Sequence, residues 1–208
     1  MPVSAIQGRK GELWVNSGSA TAFTTEACDL VSGNIYHITN TAKRVWDPAT
    51  TPSVYDDGVL QTTGYHVHGP IGQIHFDSAP TTPVTVSGKY FATAGISMVQ
   101  NWKAQFALGI LPTHGLGAAT GRTFIGLGVV GWEADFDRNH ETDTWQAIGL
   151  ANGTKIILKL YEDNPNTRLW AGYAVVTSTP LTVPVEGLVT ESVSAIGDGE
   201  LFYVTDET

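Results

Sequence analysis

Cysteine is almost absent from this 208-residue chain, Cys28 being the only one. No disulfide can close within the chain, and a zinc site built on cysteines is excluded. Charge is scarce too. Asp, Glu, Lys and Arg make up 15% of residues, against a usual quarter, so much of the surface is expected to be covered, for instance by further copies of the chain. No apolar run approaches the ~20 residues of a membrane helix. The first ten residues lack the apolar core of a secretory leader, so synthesis and folding in a cytoplasm are expected. A Gly-x-Ser-x-Gly elbow, a phosphate-binding loop and a dinucleotide fingerprint are all missing. The reading is therefore of a non-enzyme, with no catalytic residue, no metal and no cofactor.

What is present is glycine, proline and acid. Twenty-three Gly and ten Pro argue for many turns and against long helices. The length is read as a single domain over residues 1–208, large enough to bury a core without staples. The net charge is -9 and uneven. Residues 1–100 hold five Lys/Arg against seven Asp/Glu, and residues 101–208 hold six against thirteen. A nucleic-acid grip needs clustered cations, so this balance excludes one. An acidic wall repels DNA, which is useful only where DNA must pass without sticking.

Patterning along the chain is mostly β. Residues 11–15 read as a strand, 16–25 as a Ser/Thr/Gly/Ala loop, and 26–31 as a single helical turn. Residues 34–39 alternate like a strand. Asp57-Gly58 signals a two-residue turn with positive φ at both positions. Residues 65–68 and 73–76 flank Gly69-Pro70 and Gly72 as a second hairpin. Residues 83–91 read as a strand with a bulge at Gly88. Over 97–106, Met98, Trp102 and Phe106 fit a helix face nearly as well as strand alternation, and the β surroundings favour a strand. Residues 109–131 carry seven glycines, costly to order, and read as a loop or as an arm that orders on a neighbouring subunit.

The last third is richer. Trp132, Ala134 and Phe136 alternate with Glu133, Asp135 and Asp137, which predicts a half-buried strand with an acidic outer face. Residues 141–151 read as the one helix, with Trp145 and Ile148 facing inward and Asn152-Gly153 ending it. Strands follow over 155–161, 170–176, 185–193 and 197–204. Trp132, Phe136, Trp145, Ile148, Ile157 and Val175 are the expected core. His66, His68 and His75 share a sheet face, but nothing supplies a supporting shell, so they read as polar surface. The alternation of Asp135, Asp137, Asn139, Glu141 and Asp143 lacks the glycine that a calcium loop needs. Six tryptophans could line a sugar groove, although Trp132 and Trp145 read as core.

The run from Trp132 to Val204 resembles the major tail tube proteins of long-tailed, siphovirus-like bacteriophages. The resemblance lies in the Trp-opened acidic strand, the short helix, the Lys155–Tyr161 strand, Gly172-Tyr-Ala-Val-Val176, and the closing Gly197-x-Gly199-x-Leu201-x-Tyr203. The stretch from Tyr36 through Trp46-Asp-Pro48 to Phe76 is similar to the N-terminal part of such virion proteins. The resemblance implies a two-sheet β-sandwich or barrel flanked by one short α-helix. It implies a structural subunit that self-assembles into stacked hexameric rings, forming a hollow tube for DNA ejection. The implied partners are further copies of itself, a tape-measure protein, a tail terminator and baseplate or tip proteins, with DNA passing unbound and no membrane. The implied location is the virion tail, assembled in the host cytoplasm. Glu133, Asp135 and Asp137 are the candidate lumen-facing carboxylates, and Gly115, Gly117, Gly121 and Arg122 the candidate inter-subunit arm. Other readings are a tail terminator, a head-tail connector, a head decoration protein or a carbohydrate-binding module.

Overall fold

A computed structural model describes residues 11–113, 123–140, 155–163 and 168–205. The fold class is mainly β, as the sequence predicts. Fourteen strands occur among the described residues: β1 (Glu12–Ser32), β2 (Ile35–Ile38), β3 (Ser53–Asp56), β4 (Val59–Gln61), β5 (Tyr65–His68), β6 (Gln73–Phe76), β7 (Val84–Gly95), β8 (Val99–Thr113), β9 (Thr123–Asn139), β10 (Lys155–Asp163), β11 (Arg168–Ser178), β12 (Leu181–Thr182), β13 (Thr190–Gly197) and β14 (Phe202–Val204). The main path runs β4-β3-β7-β1-β10-β11-β13-β9-β8, and its pairs are antiparallel.

Alternation explains how this sheet makes a core. Leu13 and Val15 of β1, Trp132, Ala134 and Phe136 of β9, Ile156, Leu158 and Leu160 of β10, and Ala174 and Val176 of β11 all point to one side. Val193 and Ala195 of β13 join them, with Trp102 and Ala104 of β8 packed alongside. One face of six neighbouring strands converges on a single cluster, so the sheet curls into a barrel-like layer. A second core lies between the small sheet β5-β6-β2 and the β3-β7 end of the main sheet. It is built from Phe23, Tyr36, Ile38, Trp46, Val54, Ile74, Phe76, Val84 and Val86. A third, smaller cluster, Tyr161, Leu169 and Ala171, is packed by Trp14, Ile71 and Val204. The single expected core is thus three among the described residues.

The long strand β1 joins them. Its first residues pair with β10, its middle with β7 and its last with β2. Extra residues in β1, with positive φ at Gly18 and Thr25, let it bend from one layer into the other. The loop expected over 16–25 and the helical turn over 26–31 are both strand. Tertiary pairing to β7 overrides a segment with little local preference. The bulge expected at Gly88 sits on the partner strand instead, and Gly88 leaves room for the Phe23 ring.

Other expectations come out more simply. Asp57 and Gly58 both have positive φ and join β3 to β4. Residues 99–106 are strand. Residues 109–113 and 123–131 belong to β8 and β9, which pair across them, so over those residues the glycine-rich segment is hairpin and not loop. Residues 185–189, expected to open a strand, carry no strand, and Gly187 takes φ +108. Val175 is half-buried and not core, because its neighbours Ala174 and Val176 take the inward side of β11 and alternation turns Val175 to the other side. The expected helix over 141–151, with Trp145 and Ile148, lies outside the described residues.

Two glycines shape the barrel interior. The Trp132 indole fills a slot against Gly172 and Gly197, and its Nε1 donates to the Gly199 carbonyl at 3.0 Å. Tyr173 ties the layers together, donating from its hydroxyl to the Trp46 carbonyl at 2.7 Å. Burial, reinforced by Asp47, pushes its phenol upward and keeps that proton in place.

Candidate functional site

The strands β8, β9 and β13 present one continuous outer face, and its centre is acidic. Glu133, Asp135 and Asp137 lie on the side of β9 opposite Trp132, Ala134 and Phe136, and each is half-buried. Registration places Gln105, Lys103 and Asn101 of β8 beside them, and Ile196, Ser194 and Ser192 of β13 on the other flank. The Ser192 hydroxyl donates to Asp137 Oδ1 at 2.6 Å, and the Ser194 hydroxyl to Asp135 Oδ1 at 2.7 Å. Gln105 Nε2 donates to Glu133 Oε2 at 2.9 Å.

These are charge-assisted hydrogen bonds from neutral donors. They fix the carboxylates in orientation without cancelling their charge. Lys103 is the one cation in the three registered rows, directly across from Asp135. The result is an ordered strip of negative charge on a stiff sheet. Sequence reasoning placed the three carboxylates on one face. It missed the flanking Ser192, Ser194 and Gln105, whose role depends on pairings between strands distant in sequence.

Behind this face lies a buried ion pair that the sequence reading also missed. Arg138 continues the inward row of β9 and stands across from Glu191 of β13. Both are buried, with Arg138 Nε 3.4 Å from Glu191 Oε2 and His140 Nδ1 3.8 Å from the same oxygen. The signal was available: position 138 follows 132, 134 and 136 at the same period, so a charge there needed a partner.

Beyond β12 the chain is apolar and bare. Leu181, Val183, Val185 and Leu188 are all exposed, and Val185 is fully so. They lie in and around a Pro-punctuated stretch that leads into β13. Large apolar side chains gathered this way on a chain with few charges mark a surface that associates.

Among the described residues, no group of three or more His, Cys, Asp and Glu side chains is placed to hold a metal ion. Burial pushes the Cys28 thiol up to about 12, with Asp29 and Glu26 adding to the effect, so at neutral pH it is not a nucleophile. Of the tryptophans that could line a sugar groove, Trp46 and Trp132 are buried, Trp14, Trp102 and Trp170 are half-buried, and Trp145 lies outside the described residues. Among the described residues, no helix is long and apolar enough to cross a membrane. Gly115, Gly117, Gly121 and Arg122 lie outside the described residues.

The geometry therefore defines an antiparallel β protein with an oriented acidic strip and a separate bare apolar stretch. No protein-family model matches the chain, and no curated protein matches it. Among solved structures it is similar to a chain described as "Tail of empty GTA particle computed with helical refinement, C6 symmetry", at 13% identity and a TM-score of 0.44. That similarity covers 54% of this chain and 87% of the other.

Proposed function

We propose that this protein is the tail tube subunit of a long-tailed bacteriophage. It stacks as hexameric rings into a hollow tube, around a tape-measure protein and between a terminator and a tip, and DNA later passes through the bore. The observation that carries the reading is the acidic strip of β9. Its three carboxylates are held facing one way by neutral donors, on a chain of net charge -9. Repeated around a ring, such strips line a channel with fixed negative charge. Screening lengths of about 8 Å at physiological salt leave that charge effective close to the wall. The duplex is kept off the surface, and the counterion release that would otherwise reward phosphate contacts is not available.

The rest of the surface suits assembly. Among the described residues, β8 pairs only with β9 and β4 only with β3, so the sheet has two free edges of the kind a polymer uses as joints. In this reading the segment linking β8 to β9, with Gly115, Gly117, Gly121 and Arg122, reaches a neighbouring subunit.

Two outcomes follow. The triple substitution Glu133→Lys, Asp135→Lys and Asp137→Lys is expected to leave tubes intact but slow DNA ejection. Assembled variant tubes should also gain duplex binding whose salt slope steepens by about 0.9 for each new phosphate contact. Normal ejection from intact variant tails would place these carboxylates on the outside of the tube. The second outcome concerns the bare apolar stretch. Val185→Asp removes apolar burial worth roughly 1.5–3 kcal/mol if the side chain is covered in the polymer. The critical concentration for assembly should rise about tenfold or more, with an unchanged melting temperature of the free subunit. Sedimentation across a concentration series measures it, and an unchanged threshold would put Val185 outside the contacts.

A further inference from the structure

Four of the chain's six histidines gather on one face of the small sheet. On β2, Tyr36 and Ile38 point into the second core, which turns His37 outward. On β6, Ile74 and Phe76 do the same and turn His75 outward. His66 stands directly across from His75, and His68 across from Gln73, so all four imidazoles share the outer face.

Two of them are in direct contact. The rings of His68 and His75 stack with centroids 4.0 Å apart and planes 21° from parallel. The Phe202 ring of β14 closes on His68 at 4.8 Å. His68 Nδ1 is buried and makes no hydrogen bond. Beside the stack is a cleft of about 380 Å³ between this face and β14, lined among others by Val31, Gln73, Glu200 and Phe202. β14 itself is held to the barrel through its ladder with β11. The stack is thus one of the places where the small sheet grips the barrel, through two imidazoles and a phenyl ring.

We infer that the His68–His75 stack, closed by Phe202, is a proton-sensitive latch that holds the β5–β6 hairpin against β14 and lets it go when the histidines become charged. Two imidazolium ions 4.0 Å apart repel each other, and the ring of Phe202 offers neither of them a hydrogen bond. The surroundings do little to relieve this. On β5, His66 adds like charge when protonated, although Asp77 lies 3.5 Å from it. On β6, Gln73 Oε1 is 3.3 Å from His75 Nε2 and contributes no charge. On β2, His37 Nε2 is 3.3 Å from the Arg44 guanidinium. From the β13–β14 turn, the Glu200 carboxylate favours charged His68.

The balance falls on the neutral side. Burial lowers the pKa of His68 below its ordinary 6.5, with His75 lowering it further, Glu200 acting the other way, and His66 lowering it slightly. In an open hairpin His68 regains its ordinary affinity for a proton. The closed form is therefore fully favoured above pH 6.5, and it loses ground as pH falls through 6.5 toward the lowered value. Each proton taken up on opening makes the open form up to about tenfold more populated per pH unit across that window.

Hydrogen exchange on the full chain, corrected for the intrinsic pH dependence of exchange, tests this. Between pH 7 and pH 5.5, amides of residues 65–76 are expected to lose protection by up to about tenfold, while those of β9 and β13 keep theirs. The double variant His68→Gln and His75→Gln should show no such change. Because that variant can itself weaken the hairpin, the imidazole resonances of the parent protein provide a second reading. His68 should titrate below free histidine, and its titration should shift upward in His75→Gln. A parent whose hairpin protection is flat over this range overturns the latch, and so does a pH response that survives in the double variant. Ordinary, independent titration of both rings would overturn it as well.

Discussion

Gly197→Ala is expected to cost on the order of 3–5 kcal/mol, the scale of losing a packed tryptophan outright. An added Cβ at Gly197 would overlap the Trp132 indole at Nε1, Cε2 and Cδ1, and these atoms belong to a rigid ring. The ring cannot retreat, because a Cβ-sized space at Gly172 on its other flank is already taken up by Trp132 Cζ2, at 2.6 Å from where that Cβ would sit. Moving the indole would also break its hydrogen bond to Gly199. At roughly 2–4 °C per kcal/mol for a chain this size, melting should fall by about 10 °C. Gly95→Ala is the control. Its Cβ would meet Trp14 at 3.6 Å, an ordinary contact, so its melting point should stay within a few degrees of the parent. Equal melting of Gly197→Ala and the parent would mean that Trp132 does not occupy this slot.

The second large effect concerns Arg138 and Glu191. Removing either partner alone, as in Arg138→Met or Glu191→Leu, takes the opposite charge of this pair away from a buried ion and should cost about 3–5 kcal/mol. Replacing both together should restore most of that loss, since an apolar pair of similar volume avoids the desolvation of two ions. Denaturant unfolding of the parent, the two single variants and the double variant closes the cycle. Strict additivity, with the double variant as weak as the sum of the singles, would show that the two side chains do not interact. The same pair sits directly behind the acidic strip, in the next rung of the β9–β13 ladder, so its loss should loosen the very strands that aim the carboxylates.

How much of this was legible in the chain depends on how local each cause is. The row Trp132, Ala134, Phe136 could be read because a period of two is a local signal, and it assigned Glu133, Asp135 and Asp137 to the opposite face. The turn at Asp57-Gly58 could be read because positive φ at two successive residues restricts the residue types there. Residues 16–25 could not. Their small and hydroxyl side chains have no alternation, and only Phe23 anchors them in a core, so their strand state comes from pairing with β7. In β11 the apolar run Ala174, Val175, Val176 leaves the inward face undecided, and the slot that Gly172 and Gly197 make for Trp132 is what selects it. Arg138 was hidden for a different reason. A charge reads as surface until a partner is seen, and Glu191 belongs to a strand far along the chain.

The most direct measurement of the central claim is electron microscopy of the purified full-length protein at high concentration, alone and with tape-measure and tip proteins. The proposal predicts rings that stack into hollow tubes, with the β9 carboxylates facing the bore. A chain that stays monomeric under all these conditions, or that forms a single ring and stops, would contradict it.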